Sequence, residues 1–416
     1  MPLTDRLPAL GHRHFRNFVI GSFVSNVGGT IQFWAVAWHV YYLTESSFMV
    51  GLVAGIRVVP LLIFSMVGGA IADTHDRRNI LLLTQSVMAL VSLVIAAATF
   101  SGMATVGVLI ALVTVNVIPA AFNGPARQSL IVTLVPREHF PNAASVNGMQ
   151  WRLSDILGPA IAGIMIGLSI GPEKGLSLCY ALNAVSFLAA IYVTWLLPKT
   201  PLPPERDRMT MPRMLRMIRE GVQFVFRKPI LRDTMTLDFF ATLLSGAEAL
   251  LPAFAVMLGL GPEGYGLLAS SAGIGALTAA GIIAWLPPIR YQGRLVLAMI
   301  LCYGLFTIGF GLSPNAPMAM VFLALTGAAD MASTVMRQTI RQLNTPDEVR
   351  GRMNATSMVF NITGPRLGDL EAGFVAKLIG ERWAVISGGI GCIVIWAIYS
   401  WRAKELKSYE HESATQ

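Results

Sequence analysis

The amino-acid sequence predicts an all-α integral membrane protein, and three observations predict it. The 416 residues are 54% hydrophobic, with a mean hydropathy of +0.61. Charged residues make up 13% of the chain, about half of the roughly 25% that is usual in soluble domains. The apolar residues fall in long runs of about 20 residues or more, the length that an α-helix needs to cross the hydrocarbon core of a bilayer.

Applied along the chain, this length rule predicts twelve transmembrane helices. The first apolar run follows Arg13 and Arg16 and is too long for the apolar region of a cleavable signal, so we interpret it as the first span. The approximate bounds of the twelve spans are 16–43, 48–72, 80–100, 104–127, 142–170, 175–197, 231–258, 264–287, 294–312, 316–337, 352–379 and 383–402.

A single long polar connection, at about 198–230, separates two groups of six spans. It is rich in arginine, and its middle carries apolar residues at helical spacing, which indicates an amphipathic helix lying on the membrane. The expected domains are therefore an N-terminal bundle of residues 1–197, this basic linker, a C-terminal bundle of residues 231–403 and a tail of residues 404–416.

The net charge of +8 does not indicate nucleic-acid binding, because the basic residues lie in short segments between apolar runs and form no single patch. Most of the Lys and Arg residues fall in the termini and in the loops on the same side of the membrane. By the positive-inside rule, both termini are expected in the cytoplasm. The three cysteines lie within apolar runs without metal-ligand spacing, so we expect no metal site, and no motif of a soluble enzyme or of a cofactor site occurs.

An internal repeat relates the two groups of spans. One constant offset aligns Arg127-Gln128 with Arg337-Gln338 and Gly158 with Gly368. Parallel repeats of this kind build transporters whose substrate site lies near the middle of the membrane, between the repeats.

The polar loop after the second span resembles a known signature. Its Gly69, Asp73, Arg77 and Arg78 match the helix 2–3 loop of the major facilitator superfamily, G-x-L-A-D-R-x-G-R-R/K, and Asp76 stands where that signature has its second Gly. The segments Pro125-Ala126-Arg127-Gln128 and Val135-Pro136-Arg137-Glu138 are similar to the enterobactin-exporter branch, which also contains drug:proton antiporters such as macrolide efflux proteins.

This resemblance implies a monomeric inner-membrane transporter of two pseudo-symmetric six-helix bundles, without a cofactor. It implies export of a medium-sized organic compound, such as a drug or a siderophore, by alternating access and proton-coupled antiport. The polar loop would act in the conformational switch. Residue spacing does not distinguish export from import, so uptake of a small nutrient by a facilitator or symporter remains an alternative. A membrane partner protein that transports nothing is a second alternative.

Ionisable residues within the spans are the first candidates for the mechanism, because each is costly in hydrocarbon unless it is paired or hydrated. The candidate proton carriers are Glu248, Asp330, Asp238 and Asp155. Glu248 comes first, since its predicted helix has no basic residue within one turn of it. An acid in a low-dielectric cavity holds its proton more tightly, and a nearby arginine opposes this effect.

Candidate residues for a substrate cavity are basic, polar or aromatic: Arg57, Arg152, Arg366, Gln32, Trp34 and Asn116. Arg152 and Asp155 are three residues apart, as are Arg366 and Asp369, so each pair shares a helix face. These pairs either couple substrate and proton or are self-neutralised structural bridges. Asn and Gln in spans either contact the substrate or only bridge helices.

Two Gly-Pro pairs predict bends in the fifth and eleventh spans. They are Gly158-Pro159 and Gly364-Pro365, at nearly equivalent places in the repeat. Proline removes a backbone donor and bends a helix, while glycine permits close packing. We interpret them as gating bends, with tolerated kinks as the alternative.

Overall fold

The computed structural model describes residues 7–168, 171–198, 211–287 and 289–410, and within these ranges the chain is built of helices without a β-strand. The predicted all-α fold class is confirmed. The α-helices are α1 Arg13–Thr44, α2 Ser47–Ile56, α3 Val58–Thr74, α4 Arg77–Phe100, α5 Val106–Leu134, α6 Phe140–Gly167, α7 Pro172–Trp195, α8 Met211–Arg227, α9 Pro229–Leu244, α10 Leu251–Met257, α11 Pro262–Trp285, α12 Gln292–Leu312, α13 Ala316–Leu343, α14 Asp347–Ile379, α15 Glu381–Arg402 and α16 Lys404–Ser408.

Among the described residues, ten helical segments are long and apolar enough to cross a membrane. Two of these segments join broken helices, α2 with α3 and α9 with α10. The other two long helices are α6 and α14, with 28 and 33 residues. Both carry charged residues within their length, which lowers their hydropathy. Together with the ten segments they are consistent with the twelve predicted spans.

Two predicted spans end too early. The spans at 104–127 and 316–337 continue as α5 and α13 to Leu134 and Leu343. Arg127 and Arg337 therefore lie inside helices, whereas the apolar runs placed them at the edge of loops. The reason is that each helix continues past the end of its apolar run with residues that bury one face in its own bundle.

The seventh predicted span, 231–258, is not one continuous helix. It stops after Leu244 and resumes through a 3₁₀ turn at Glu248–Leu250 that leads into α10. Pro252 lacks the N–H that a continuous helix would use at that position. Gly246 lies so close to the backbone of α14 that an added Cβ would be 2.5 Å from the carbonyl carbon of Gly368. The second span is likewise interrupted at Arg57, where Pro60 has no N–H to donate to the carbonyl of Ile56.

Contacts divide the chain into two compact units. Unit 1 comprises Met1–Leu43 and Val59–Met214, and unit 2 comprises Thr44–Val58 and Leu215–Gln416. The sequence scheme assigns residues 44–58 to the first bundle, whereas here they group with unit 2. The boundaries of the four expected domains remain a prediction.

Helix α2 belongs to unit 2 because small residues let it approach α14 closely. A Cβ at Gly51 would meet the carbonyl oxygen of Asp369, and a Cβ at Gly373 would be 2.7 Å from the carbonyl oxygen of Ser47. The ammonium of Lys377 also lies 5.2 Å from the ring centroid of Phe48. A bulky residue at either glycine would force the two helices apart.

The predicted amphipathic helix of the linker is α8, while linker residues 199–210 lie outside the described part of the chain. Val225 is fully buried in the core of unit 2. A Cβ at Gly221 would be 2.7 Å from the carbonyl oxygen of Arg352, and Glu220 forms an ion pair with Arg352 at 2.8 Å. One face of α8 therefore packs on α14.

Candidate substrate and proton site

A cluster of charged side chains surrounds the break between α9 and α10 in unit 2. Arg366 of α14 donates from Nη1 to Glu248 Oε2 and to Asp369 Oδ2, at 3.2 Å in each case. The expected pair of Arg366 and Asp369 is therefore present. Glu248, which has no basic partner in its own helix, finds one in α14.

The two acids on Arg366 are in different surroundings. Asp369 has a side chain that is 3% exposed, and its Oδ1 accepts a hydrogen bond of 3.2 Å from the backbone N–H of Ala249. It thereby satisfies a donor that the helix break leaves without a helical partner. The side chain of Glu248 is 49% exposed and holds no backbone group in the described structure. Asp369 stabilises the break, and Glu248 is the more exposed of the two acids.

Arg57 adds a second guanidinium to this cluster. It lies at the break between α2 and α3, close enough to Arg366 for the two positive charges to repel each other. The cluster thus contains two guanidinium groups and two carboxylates.

A second charged cluster in unit 2 is centred on Arg337 of α13, whose side chain is 1% exposed. Its Nη2 lies 2.7 Å from Asp238 Oδ1 of α9 and 3.7 Å from Asp330 Oδ1, and its guanidinium also donates to the hydroxyls of Ser333 and Thr334 at 2.9 Å each. The side chain of Asp238 is largely buried, whereas that of Asp330 is 43% exposed. Asp330 is thus the more accessible of these two candidate proton carriers.

Arg337 is the functional candidate that sequence reasoning missed, because the apolar run of its span ends there. The repeat of Arg127-Gln128 as Arg337-Gln338 was the signal that could have identified it. A dipeptide retained at the same place in both halves indicates that the arginine has a role in each bundle.

Three cavity candidates of unit 1 lie on α1 and α5. Gln32 of α1 accepts a hydrogen bond of 2.8 Å from Asn183 of α7, which also bonds to Ser92 of α4, so Gln32 bridges helices. Trp34 is buried and packs edge-on against Phe33 with 5.3 Å between ring centroids. Asn116 of α5 is buried, and among the described residues its Oδ1 has no hydrogen-bond partner.

Two further candidates lie on α6. Arg152 is partly buried and Asp155 is exposed. Their pairing and their role in coupling stay predictions.

The polar loop after the second span is ordered by helix ends in unit 1. Asp76 is the N-cap of α4 and accepts a hydrogen bond of 3.0 Å from the backbone N–H of Arg78. The guanidinium of Arg78 donates to the carbonyls of Thr194 and Trp195 at the C-terminal end of α7, at 3.3 and 2.6 Å, where a positive charge is favoured by the helix dipole. Arg77 donates to the carbonyl of Ser129 at 3.4 Å. The surroundings of Gly69 and of the Asp73 side chain lie outside the described part of the structure, and the switching role of the loop stays a prediction.

The Gly-Pro pairs lie where helices approach closely. Gly158 of α6 contacts Thr30 of α1, and a Cβ at Gly364 of α14 would be 2.6 Å from the hydroxyl of Thr242 of α9. Helices α6 and α14 continue through Pro159 and Pro365. The close packing is present in each unit, and the gating role is a proposal. No group of side chains suited to hold a metal ion occurs in the part of the chain that the structure describes.

Comparison with known families decides the class of protein. Residues 4–416 match the model of the transmembrane secretion effector family, a branch of the major facilitator superfamily. The chain belongs to this family. It is therefore a multi-pass transporter of the inner membrane and not an enzyme.

Similar curated proteins are enterobactin exporters. The chain is 24% identical over 388 residues to enterobactin exporter EntS of Salmonella choleraesuis (strain SC-B67), covering 92% of this chain and 91% of that protein. It is 24% identical over 402 residues to EntS of Escherichia coli O127:H6, covering 96% and 94%.

Similar solved structures share the fold of this chain. A bacterial homolog of the human lysosomal transporter Spinster, in an inward-facing and unoccupied conformation, aligns with a TM-score of 0.73 at 13% identity, covering 95% of this chain and 97% of that one. The nucleoside transporter NupG aligns with a TM-score of 0.73 at 12% identity, covering 94% and 99%. At these identities the likeness concerns the fold alone.

Proposed function

We propose that this transporter exports a medium-sized organic compound, of the drug or siderophore type, by alternating access and proton-coupled antiport. The observation that carries the proposal is the bridge of one guanidinium, that of Arg366, between a half-exposed acid and a buried acid at a helix break. Similarity to enterobactin exporters supports export and a siderophore-like substrate. Both termini are proposed to lie in the cytoplasm, and the transporter is proposed to act as a monomer.

Glu248 is the proposed proton carrier. Its carboxylate is accessible, whereas Asp369 is committed to the backbone N–H of Ala249. When Glu248 takes up a proton it no longer balances the charge of Arg366, and the neighbouring Arg57 adds to the excess positive charge. Protonation therefore weakens the hold of α10 on α14 and frees guanidinium donors for a polar group of the substrate.

The contacts of Arg366 with Glu248 and Asp369 also provide a mechanism for the conformational change of the transporter. The break between α9 and α10 is stabilised by Asp369 on one side and by Glu248 through Arg366 on the other. Loss of the Glu248 contact leaves the break held by Asp369 alone. A change in the angle between α9 and α10 is then less costly, which is how a proton would drive one half-cycle of transport.

The test is gradient-driven uptake of fluorescent organic dyes of either charge into inverted membrane vesicles. Wild-type protein and the Glu248→Gln variant are compared with and without an imposed pH gradient, the vesicle interior being acidic. We expect the wild type to accumulate dye only with the gradient and the variant to lose at least nine-tenths of that response. Glu263→Gln serves as the matched control, because Glu263 is an exposed acid of the same unit at the start of α11.

Three outcomes would contradict the proposal. Accumulation by the wild type that ignores the gradient would indicate a facilitator. Dye accumulation in whole cells that falls when the protein is removed would indicate uptake. An unchanged response in Glu248→Gln would exclude Glu248 as the proton carrier.

A further inference from the structure

The repeat-related arginines of the two units have different partners. In unit 2, Arg337 is paired with the carboxylate of Asp238. In unit 1, Arg127 donates from Nη1 to the amide oxygen of Asn26 at 2.8 Å. Asn26 and Asp238 occupy equivalent places, because each lies one helical turn before the threonine, Thr30 or Thr242, that packs on a Gly-Pro pair. An amide thus stands in unit 1 where unit 2 has a counter-ion.

In unit 1, Arg127 and Asn26 have N–H groups for which the described structure provides no acceptor. Arg127 Nε, Arg127 Nη2 and Asn26 Nδ2 are all buried and, among the described residues, have no hydrogen-bond partner. No carboxylate of the described chain lies within ion-pair distance of Arg127. Because a guanidinium in a protein stays protonated, this site keeps a full positive charge. Buried charges are normally paired, so a buried cation with N–H donors that lack an acceptor is suited to an anion.

Two aromatic rings lie next to the guanidinium of Arg127 and favour an aromatic ligand. The guanidinium carbon of Arg127 lies 5.4 Å from the ring centroid of Trp151 and 6.0 Å from that of Phe18. Phe18 is buried, whereas Trp151 is 45% exposed and so keeps part of its ring surface uncovered. A planar aromatic group can stack on such a surface while its acidic substituent reaches the guanidinium.

We propose that Arg127, Asn26 and Trp151 form a binding site for a planar aromatic anion, and that compounds of this class are substrates of the transporter. The assignment as substrate rests on the proposed export function, whereas the binding site itself does not. Arg127 supplies the charge, Asn26 orients the guanidinium and adds one donor, and Trp151 supplies the stacking surface.

The experiment measures binding of 2-naphthoate and of its neutral analogue 2-naphthamide to the purified full-length protein in detergent, by tryptophan fluorescence and by calorimetry. We expect the wild type to bind 2-naphthoate at least tenfold more tightly than 2-naphthamide. Inorganic phosphate, an anion without a ring, should compete at least tenfold more weakly than 2-naphthoate. Equal affinity for the acid and the amide, or equal competition by phosphate, would overturn the proposal.

Asn26→Asp is the decisive variant, because it gives unit 1 the counter-ion that unit 2 already has. It is nearly isosteric and keeps Arg127 in place, so it tests charge and not packing. We expect it to lose the preference for 2-naphthoate while its affinity for 2-naphthamide stays within twofold and its melting temperature does not fall. Arg127→Gln should lose the same preference, and retention of the preference in Asn26→Asp would exclude the site.

Failure of this site and failure of the proposed function are distinguishable. Binding of 2-naphthoate in detergent needs neither a proton gradient nor transport. Glu248→Gln is expected to keep the tenfold preference while losing gradient-driven accumulation. Normal coupling with no preference for the anion would overturn the Arg127 site alone.

Discussion

At the scale of single residues, the acids of unit 2 that contact arginine divide into buried ones and half-exposed ones. Asp238 and Asp369 are largely buried and bonded, whereas Glu248 and Asp330 are about half exposed while touching the same arginines. Each of the two arginines, Arg337 and Arg366, therefore contacts one buried carboxylate and one half-exposed carboxylate. Removal of a buried group and removal of a half-exposed carboxylate should therefore have different effects on the free energy of unfolding.

Removal of the buried guanidinium of Arg337 should lower the stability of the protein strongly. Arg337→Gln leaves Asp238 largely buried without its partner at 2.7 Å, and we expect a loss of stability of about 3–5 kcal/mol. The double variant with Asp238→Asn should recover a large part of that loss, since no uncompensated charge remains. Unfolding followed by circular dichroism in detergent measures both. A double variant no more stable than the single one would show that the charge pair is not the cause.

Substitutions of the two acids that contact Arg366 should differ in their effect on the free energy of unfolding. Asp369→Asn removes the charge that Arg366 and the N–H of Ala249 share, so we expect it to cost about 1–3 kcal/mol. Glu248→Gln removes a half-exposed contact and should change stability by less than about 1 kcal/mol. Thermal unfolding of the two variants, side by side, checks this order. The reverse order would mean that Glu248 is the structural acid.

At the scale of elements, the break in the seventh span is produced by close packing of backbones. Gly246 meets the backbone of Gly368, and Gly388 of α15 meets the carbonyl of Leu244. Glycines at these places remove the side chains that would hold α9, α14 and α15 apart. The break thereby brings Glu248 within reach of Arg366 in the neighbouring helix.

A methyl group at this contact should disturb both packing and transport. In Gly246→Ala the new Cβ would lie 2.5 Å from the carbonyl carbon of Gly368, which cannot yield as a flexible side chain would, so we expect a loss of about 1–3 kcal/mol and slower transport. Gly281→Ala in α11 is the matched control, because its Cβ meets nothing within 4 Å. The control should be neutral or slightly stabilising. Equal effects of the two substitutions in thermal unfolding would contradict the packing argument.

At the scale of the whole molecule, the chain passes between the two compact units at the short helix α2 as well as at α8. Helix α2 follows α1 of unit 1 in sequence but packs on α14 of unit 2, and its far end leads back to unit 1 through Arg57. Arg57 thereby reaches the charged cluster of unit 2. Arg57 is therefore a residue near Arg366 that is followed directly by α3, which belongs to unit 1 from Val59 onward.

Amide hydrogen exchange in α2 should become faster when unit 2 is destabilised. Because α2 packs on α14, Arg337→Gln should speed exchange of the amides of residues 47–56 more than that of residues 77–100 in α4. The complementary variant is Asn183→Ala, which breaks hydrogen bonds to Gln32 and Ser92 in unit 1 and should have the opposite pattern. Faster amide exchange of residues 47–56 in Asn183→Ala than in Arg337→Gln would show that the stability of α2 depends on unit 1.

The sequence by itself determined the class of fold and the family, and it predicted twelve spans, a number with which the structure is consistent. It did so because bilayer thickness fixes the length of an apolar helix and because the polar loop and the repeat are local patterns. It also predicted the pair of Arg366 and Asp369, since residues three apart share a helix face.

Only the tertiary structure decided which helix supplies a partner to each isolated charge. Glu248 is bridged from α14 and Asp238 from α13, and neither contact follows from spacing along one helix. The break before Glu248 likewise depends on the backbone of a distant helix at Gly368. The different partners of Arg127 and Arg337 do not follow from the repeat either, because the neighbour of each arginine is supplied by another helix of its bundle.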